Sequence, residues 1–356
     1  MFGSRRLKSA LVAAACAATL AFGLAAPAAA QTNEVVVVTT GGAYGALLDR
    51  LFFKPFTDAT GITVRQVSAS TSEAWAKLAA MEQVGKVEWD LLSGLDADLI
   101  ARRDIVEKID CSKLPITAES ALPDTCRDYG VVRVVGTNGT LTYSKEAFPN
   151  GGPQSWADLF DTQKFPGPRG LMDSGTPWDM LAIALLADGV PADKLYPLDL
   201  DRAFAKLDKI KSDVAVWWKS GDQSQQMFRS GEVVAGVLWS GRAFMLKKEG
   251  QPVEAVLPGS IQANGYWMVA KNAPNKDNAL KLIDFFMKDP KAHVEFRREN
   301  LNDTMNKAAI DLLTPEEKAA AFTSPENLKT LIVPDFEWIA KNREMITERW
   351  KTWIAQ

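Results

Sequence analysis

The chain has 356 residues, 47% hydrophobic and 24% charged, which is enough for two domains of ordinary size, each burying its own core. Its 41 Lys and Arg against 44 Asp and Glu give a formal net charge of −3, without the basic footprint of a nucleic-acid-binding protein. With one histidine and three cysteines, histidine-rich and Cys-x-x-Cys metal sites are excluded.

Arg5, Arg6 and Lys8 open the chain, and residues 9–26 form an apolar run of mainly Ala, Leu and Val. After Pro27, Ala28-Ala29-Ala30 supplies a small-x-small cleavage site before Gln31. The segment reads as a secretory leader cleaved after Ala30, which places the mature protein in the periplasm. A retained membrane anchor fits less well, because the run is short and Ala-rich and no charged stop-transfer flank follows. Cys16 is preceded by Ala13-Ala14-Ala15 and not by a Leu-led lipobox, so lipidation is the weaker reading. Losing the three cations of the leader takes the net charge from −3 to −6. Cys111 and Cys126 then remain as the mature cysteines, and an oxidising compartment predicts a disulfide between them, a buried reduced pair being the alternative.

Along the mature chain, short apolar runs alternate with segments of helical period, the pattern of an α/β fold. Strands are predicted over residues 35–39, 62–67, 89–92, 131–135, 141–143, 170–172, 233–239, 253–257 and 266–270. Most are continuously apolar, as strands covered on both faces should be. A helix over 73–84 places Trp75, Leu78, Ala79 and Met81 on one face, and another over 277–288 does the same with Leu280, Ile283, Phe286 and Met287. Residues 315–321 and 336–354 continue as helices with no strand between them, a helical tail laid over the rest.

Catalytic equipment is missing. His293 follows Asp289-Pro290 in a predicted helix, where a surface or packing role is expected, and no Gly-x-Ser-x-Gly elbow accompanies it. Neither a phosphate-binding Gly-x-x-x-x-Gly-Lys loop nor a Gly-x-Gly-x-x-Gly fingerprint occurs. The chain therefore reads as a binding protein without cofactor or metal, not an enzyme.

Ligands of open α/β sheets gather at the carboxyl ends of the strands, where this chain carries polar, glycine-rich segments. The first strand runs into Thr39-Thr40-Gly41-Gly42-Ala43-Tyr44-Gly45, whose glycines let backbone N–H groups approach a ligand; a plain strand-to-helix turn is the alternative. In Ser68-Ala69-Ser70-Thr71-Ser72-Glu73, Ser70 and Thr71 are binding candidates, with a helix N-cap at Thr71 or Ser72 as the simpler role. Ser93-Gly94-Leu95-Asp96 ends the third strand and offers Ser93.

These loops belong to a longer series. Thr39-Thr40-Gly41-Gly42, residues 56–64 and Glu88-Trp89-Asp90-Leu91 resemble the bacterial extracellular solute-binding proteins of family 1. Gly139-Thr140-Leu141-Thr142-Tyr143-Ser144, Ser155-Trp156-Ala157-Asp158-Leu159-Phe160, residues 231–239 and Ala273-Pro274-Asn275-Lys276-Asp277-Asn278-Ala279 are most similar to the spermidine/putrescine-binding branch. The resemblance covers nearly all of residues 33–310, and the order of the motifs is what makes it specific. It implies a periplasmic binding protein-like fold of type II, two Rossmann-like lobes with a ligand cleft between them. By analogy one lobe combines 31–136 with 257–325, the other is 137–256, and 326–356 form the tail. It also implies a small-molecule ligand and a permease with its ATPase as partners; the protein itself is expected to be a monomer.

Polyamine binders of this branch hold an aliphatic chain between aromatic rings and its ammonium ends on carboxylates. Trp239 matches such an aromatic, with a core tryptophan as the alternative, and Asp173 falls near a carboxylate position. It could equally cap the helix entered through Ser174-Gly175-Thr176-Pro177-Trp178, whose Trp178 is a further candidate. Two departures matter. Where the branch has a second acid, this chain reads Ala263-Asn264-Gly265-Tyr266-Trp267, leaving Tyr266 and Trp267 as aromatics but no carboxylate. Arg242, three residues after Trp239, would repel a polyamine yet suits bidentate capture of a carboxylate, unless it is a surface arginine of the following helix. The expected ligand is therefore a zwitterion such as 4-aminobutyrate, with Arg242 on the acid, Asp173 on the amine and aromatics between. The alternatives are a polyamine binder and a secreted enzyme on a two-lobed scaffold. An iron-type binder is disfavoured, because the five tyrosines include no adjacent pair.

Overall fold

Val35, Val36, Val37 and Val38 are all buried, and they make β1 (Glu34–Thr39) the spine of a sheet. Successive side chains of a strand point to opposite faces. Val35 and Val37 accordingly enter one core with Phe52, Phe53, Trp267 and Phe286, whereas Val36 and Val38 enter another with Trp75, Leu92, Tyr266 and Met268. The computed structural model describes residues 33–356, so the predicted leader, Cys16 and the cleavage site after Ala30 lie outside the described residues.

β2 (Thr63–Ser68) and β3 (Leu91–Leu95) flank β1 in parallel. β4 (Cys126–Arg127) pairs with the start of β5 (Gly130–Ser144); with β6 (Arg169–Met172), β7 (Val214–Trp218), β8 (Ala235–Leu238) and β9 (Val253–Val269) the sheet has nine strands, eight in the order β2-β1-β3-β9-β5-β8-β6-β7 and β4 off this path. β6 runs parallel to both β7 and β8, while β5 and β9 are antiparallel to their neighbours.

Four predicted strands are thus two. The segments expected over 131–135 and 141–143 are the ends of β5, and those over 253–257 and 266–270 lie along β9. The residues between them are Gly-rich and polar, which locally disfavours a strand. They pair with one another, Gly136 with Ala263, Thr137 with Gln262 and Gly139 with Ile261, and bulges absorb the irregularity. β7 was not anticipated although Val-Ala-Val-Trp-Trp is a strand-like run. β3 starts two residues later than expected because Asp90 is fully buried and takes amide donors from Val36 and Asn275, each at 2.7 Å.

The helices over 73–84 and 277–288 are realised as Thr71–Gln83 and Lys276–Phe286. A separate core gathers Leu141, Leu171, Trp178, Trp218 and Leu238, and the C-terminal helix Phe336–Ile354 drives Ile346, Trp350 and Trp353 into it. Arg343 of the same helix reaches Asp98 at 2.9 Å, so the tail is tied to the β3 side as well. His293 is a packing residue: it is fully buried, its ring nitrogens 2.8 Å from the Phe286 carbonyl and the Thr304 hydroxyl, and burial pushes it down to about 4.

Cys111 and Cys126 form a disulfide with their Cα atoms 6.0 Å apart, closing a loop across 15 positions. A loop of that length restrains the unfolded chain by about 3 kcal/mol. Replacing both cysteines by alanine should lower the urea-unfolding free energy of the oxidised protein by about that amount; an unchanged midpoint would mean that the bond restrains nothing that the fold does not already hold.

Candidate functional site

After β1, Gly41 and Gly42 take φ values of 68° and 59°, and a Cβ on Gly41 would collide with the Ser68 side chain. Gly42 then opens the helix Gly42–Leu48, which carries Ala43 and Tyr44. Ser70 caps the helix Thr71–Gln83, accepting from the Glu73 amide at 3.3 Å while Glu73 reaches back, so the cap falls on Ser70 and not on Thr71 or Ser72. Thr71 is the first residue of that helix. Ser93 lies within β3 opposite Trp267, and its hydroxyl is buried without a hydrogen-bond partner.

Beyond Ser93, Asp96 is buried and accepts from the Asn264 amide at 2.7 Å, from its side-chain nitrogen at 3.2 Å and from the Tyr266 hydroxyl at 2.7 Å. Burial raises the Asp96 carboxyl, and burial together with Asp96 raises the Tyr266 phenol. Tyr266 is therefore locked as a buried donor and presents no free aromatic face. Trp267 packs in the core against Phe53 and Phe286, and the Arg133 guanidinium lies 5.3 Å from its ring.

From the other half of the sheet, Asp173 follows β6. Its carboxylate accepts from the Trp350 indole at 2.8 Å and lies 3.7 Å from the Lys219 ammonium, so it arrives with partners of its own. Trp178 is buried, with the Arg343 guanidinium 5.5 Å above its ring. Trp239 follows β8, half-buried and edge-on to Trp218 at 5.3 Å, and its indole N–H is buried without a partner. Arg242 donates to Asp222 at 2.9 Å and to Gln225 at 3.1 Å, and Asp222 is 88% exposed. A pair so exposed contributes little.

Two charged residues were missed. Asp179 is buried in the otherwise apolar helix Pro177–Ala187, accepts from Asn138 of β5 at 3.1 Å, has the Thr176 side chain as a further neutral neighbour, and has no Lys or Arg within ion-pair distance among the described residues. Burial pushes its carboxyl up to about 7, and the Asp96 charge adds to the rise. Arg133 interrupts Val131-Val132-Arg133-Val134-Val135 within β5. A charge inside an otherwise apolar run was the available signal in both cases. Buried polar groups without partners among the described residues include Ser93 Oγ within β3, Ser174 Oγ after β6, Trp239 Nε1 after β8 and Asn264 Oδ1 within β9. Such groups need a partner, and a polar ligand is one.

Residues 52–295 match the family described as bacterial extracellular solute-binding protein. The chain belongs to that family. It is 34% identical to the gamma-aminobutyric acid-binding protein of Pseudomonas aeruginosa over 94% of this chain and 95% of that protein. To the spermidine/putrescine-binding periplasmic protein of Escherichia coli it is 30% identical over 81% and 80%. The crystal structure of an ABC transporter substrate-binding protein from Bradyrhizobium japonicum superposes with a TM-score of 0.81 at 32% identity, covering 90% of this chain and 99% of that one. The fold is that of a periplasmic binding protein, two Rossmann-like lobes with a ligand cleft, and the protein is the substrate-binding component of an ABC transporter. Members of this solute-binding family bind small molecules and work with a permease and its ATPase.

Asp179 sets a pH signature. Its folded pKa of about 7 lies above the unfolded value, so its contribution to stability is complete below about pH 4 and is lost as pH rises through 7. Asp179→Asn should remove up to about 1.4 kcal/mol of stability loss per pH unit between those limits. Ligand-free melts of wild type and variant across pH 4–8 check this; parallel curves would show an Asp179 with an ordinary pKa.

Proposed function

We propose that this solute-binding protein captures an amino carboxylate such as 4-aminobutyrate in the periplasm as a monomer, after loss of a leader ending at Ala30, and hands it to an importer. The observation that carries the reading is Asp179, a buried carboxylate with a neutral amide donor and no cation of its own. A ligand ammonium supplies the missing charge. Asp173, already bonded to Trp350 and near Lys219, gives up the role expected of it. Trp239, backed by Trp218, forms an aromatic wall for the methylene chain.

We take residues 31–136 with 257–325 as one lobe and 137–256 as the other, with 326–356 packed mainly on the second. The separate cores support this division. The helix start at Gly42, Ala43 and Tyr44, with Ser70, Thr71 and Ser93, faces the ligand from the first lobe, while Asp179 and Trp239 face it from the second. Ligand touching both lobes favours the closed form, which the permease reads. No chemical step is part of this role.

A polyamine is the second reading, because Asp96 is a buried acid close enough to raise Asp179. Both Asp96 oxygens are already engaged by Asn264 and Tyr266, which disfavours it. In a thermal-shift screen of the mature protein, 4-aminobutyrate should raise the melting temperature, with about 2.7 kcal/mol of stabilisation at a hundred times its dissociation constant. Putrescine, spermidine and butyrate should not. A shift with polyamines alone overturns the zwitterion reading, and conversion of any compound during incubation would point to an enzyme.

A further inference from the structure

Arg133 has an environment that structural packing alone does not account for. It sits at the β5 bulge between Val132 and Val134, its guanidinium 5.3 Å from the centres of both the Tyr44 and Trp267 rings. One terminal nitrogen donates to the Tyr44 hydroxyl, and Nε is buried without a hydrogen-bond partner. Among the described residues no Asp or Glu lies within ion-pair distance of it. Burial pushes it down to about 10, which still leaves it protonated at neutral pH.

The rings orient the guanidinium but do not neutralise it. A partly desolvated cation without a counter-charge is costly, and an apolar residue would suit a valine-rich strand better. The surroundings also make room: a Cβ on Gly265 would come within 3.0 Å of the second terminal nitrogen. Tyr44 belongs to the helix that follows β1, and Val134 and Val135 pair with Gly265 and Asn264, Gly265 lying opposite Leu95 at the end of β3, which places Arg133 at the level of that strand end. Arg242, by contrast, already has Asp222 and Gln225.

We infer that Arg133, in place of Arg242, receives the carboxylate of the ligand, its planar fork offering parallel donors to both oxygens. The inference rests on the amino-carboxylate reading and deepens it. One half-buried cation and one buried anion, Arg133 and Asp179, together select a molecule carrying both charges.

The test is calorimetric titration of wild type, Arg133→Gln, Arg133→Lys and Arg242→Ala with 4-aminobutyrate and with its neutral amide, 4-aminobutanamide. Arg133→Gln should bind the acid roughly tenfold or more weakly while binding the amide nearly as wild type does, because only the acid loses charge-assisted bonds. Arg133→Lys keeps the charge without the fork and should fall between; it also stands in if the glutamine variant does not fold. Arg242→Ala should stay close to wild type for both compounds. Equal losses for acid and amide at position 133 would reduce Arg133 to a structural residue, and a loss confined to Arg242→Ala would return the anchor there. Wild type that binds polyamines and not 4-aminobutyrate would instead fail the ligand reading, taking the inference with it.

Discussion

The antiparallel pairing of β5 with β9 is the constraint on which the rest of the molecule depends. These strands are long enough to take part in both halves of the sheet, β9 pairing with β3 at one end and β5 with β8 at the other. Asn138, which holds Asp179, and Asn264, which holds Asp96, both lie on this ribbon. So does Arg133. The backbone that joins the halves thus also carries polar groups of the site, and bulges in the ladder aim their side chains away from regular alternation.

Charge is handled differently in the two regions of polar burial. Asp90 and Asp96 are held by several neutral donors apiece and belong to the scaffold. Asp179 and Arg133 have only neutral hydrogen-bonding neighbours and, among the described residues, no counter-ion within ion-pair distance, although Asp179 is buried and Arg133 half-buried. A fold that satisfies its other buried acids so fully and leaves these two under-compensated is poised for a partner with opposite charges at its ends.

Much of this was legible in the sequence. Continuous apolar runs marked β1, β6 and β8, the apolar stripe of Trp75, Leu78, Ala79 and Met81 marked the Thr71–Gln83 helix although its cap was expected at Thr71 or Ser72, and the order of loop motifs matched the family. The junctions inside β5 and β9 were not, since Gly136–Thr140 has no strand propensity of its own and gains order from a partner more than a hundred residues away. For the same reason Asp173 looked available: Trp350, which binds it, lies 177 positions along the chain. Asp179 and Arg133 were visible as lone charges in apolar runs, but they gain meaning only when the fold shows that no opposite charge comes to meet them. Arg242 was the more conspicuous arginine beside Trp239, and its pairing with Asp222 depends on the spacing of two helices.

The central claim is that Asp179 receives the ammonium of the ligand, and proton release on binding tests it most directly. With a carboxyl near 7, an arriving cation lowers its pKa and drives off part of its proton. Titrating 4-aminobutyrate at pH 7 in buffers of different ionisation enthalpy should report about half a proton released per ligand, falling to none above about pH 9 and in Asp179→Asn. Binding without proton release at pH 7, or with the same release in the variant, would contradict the account.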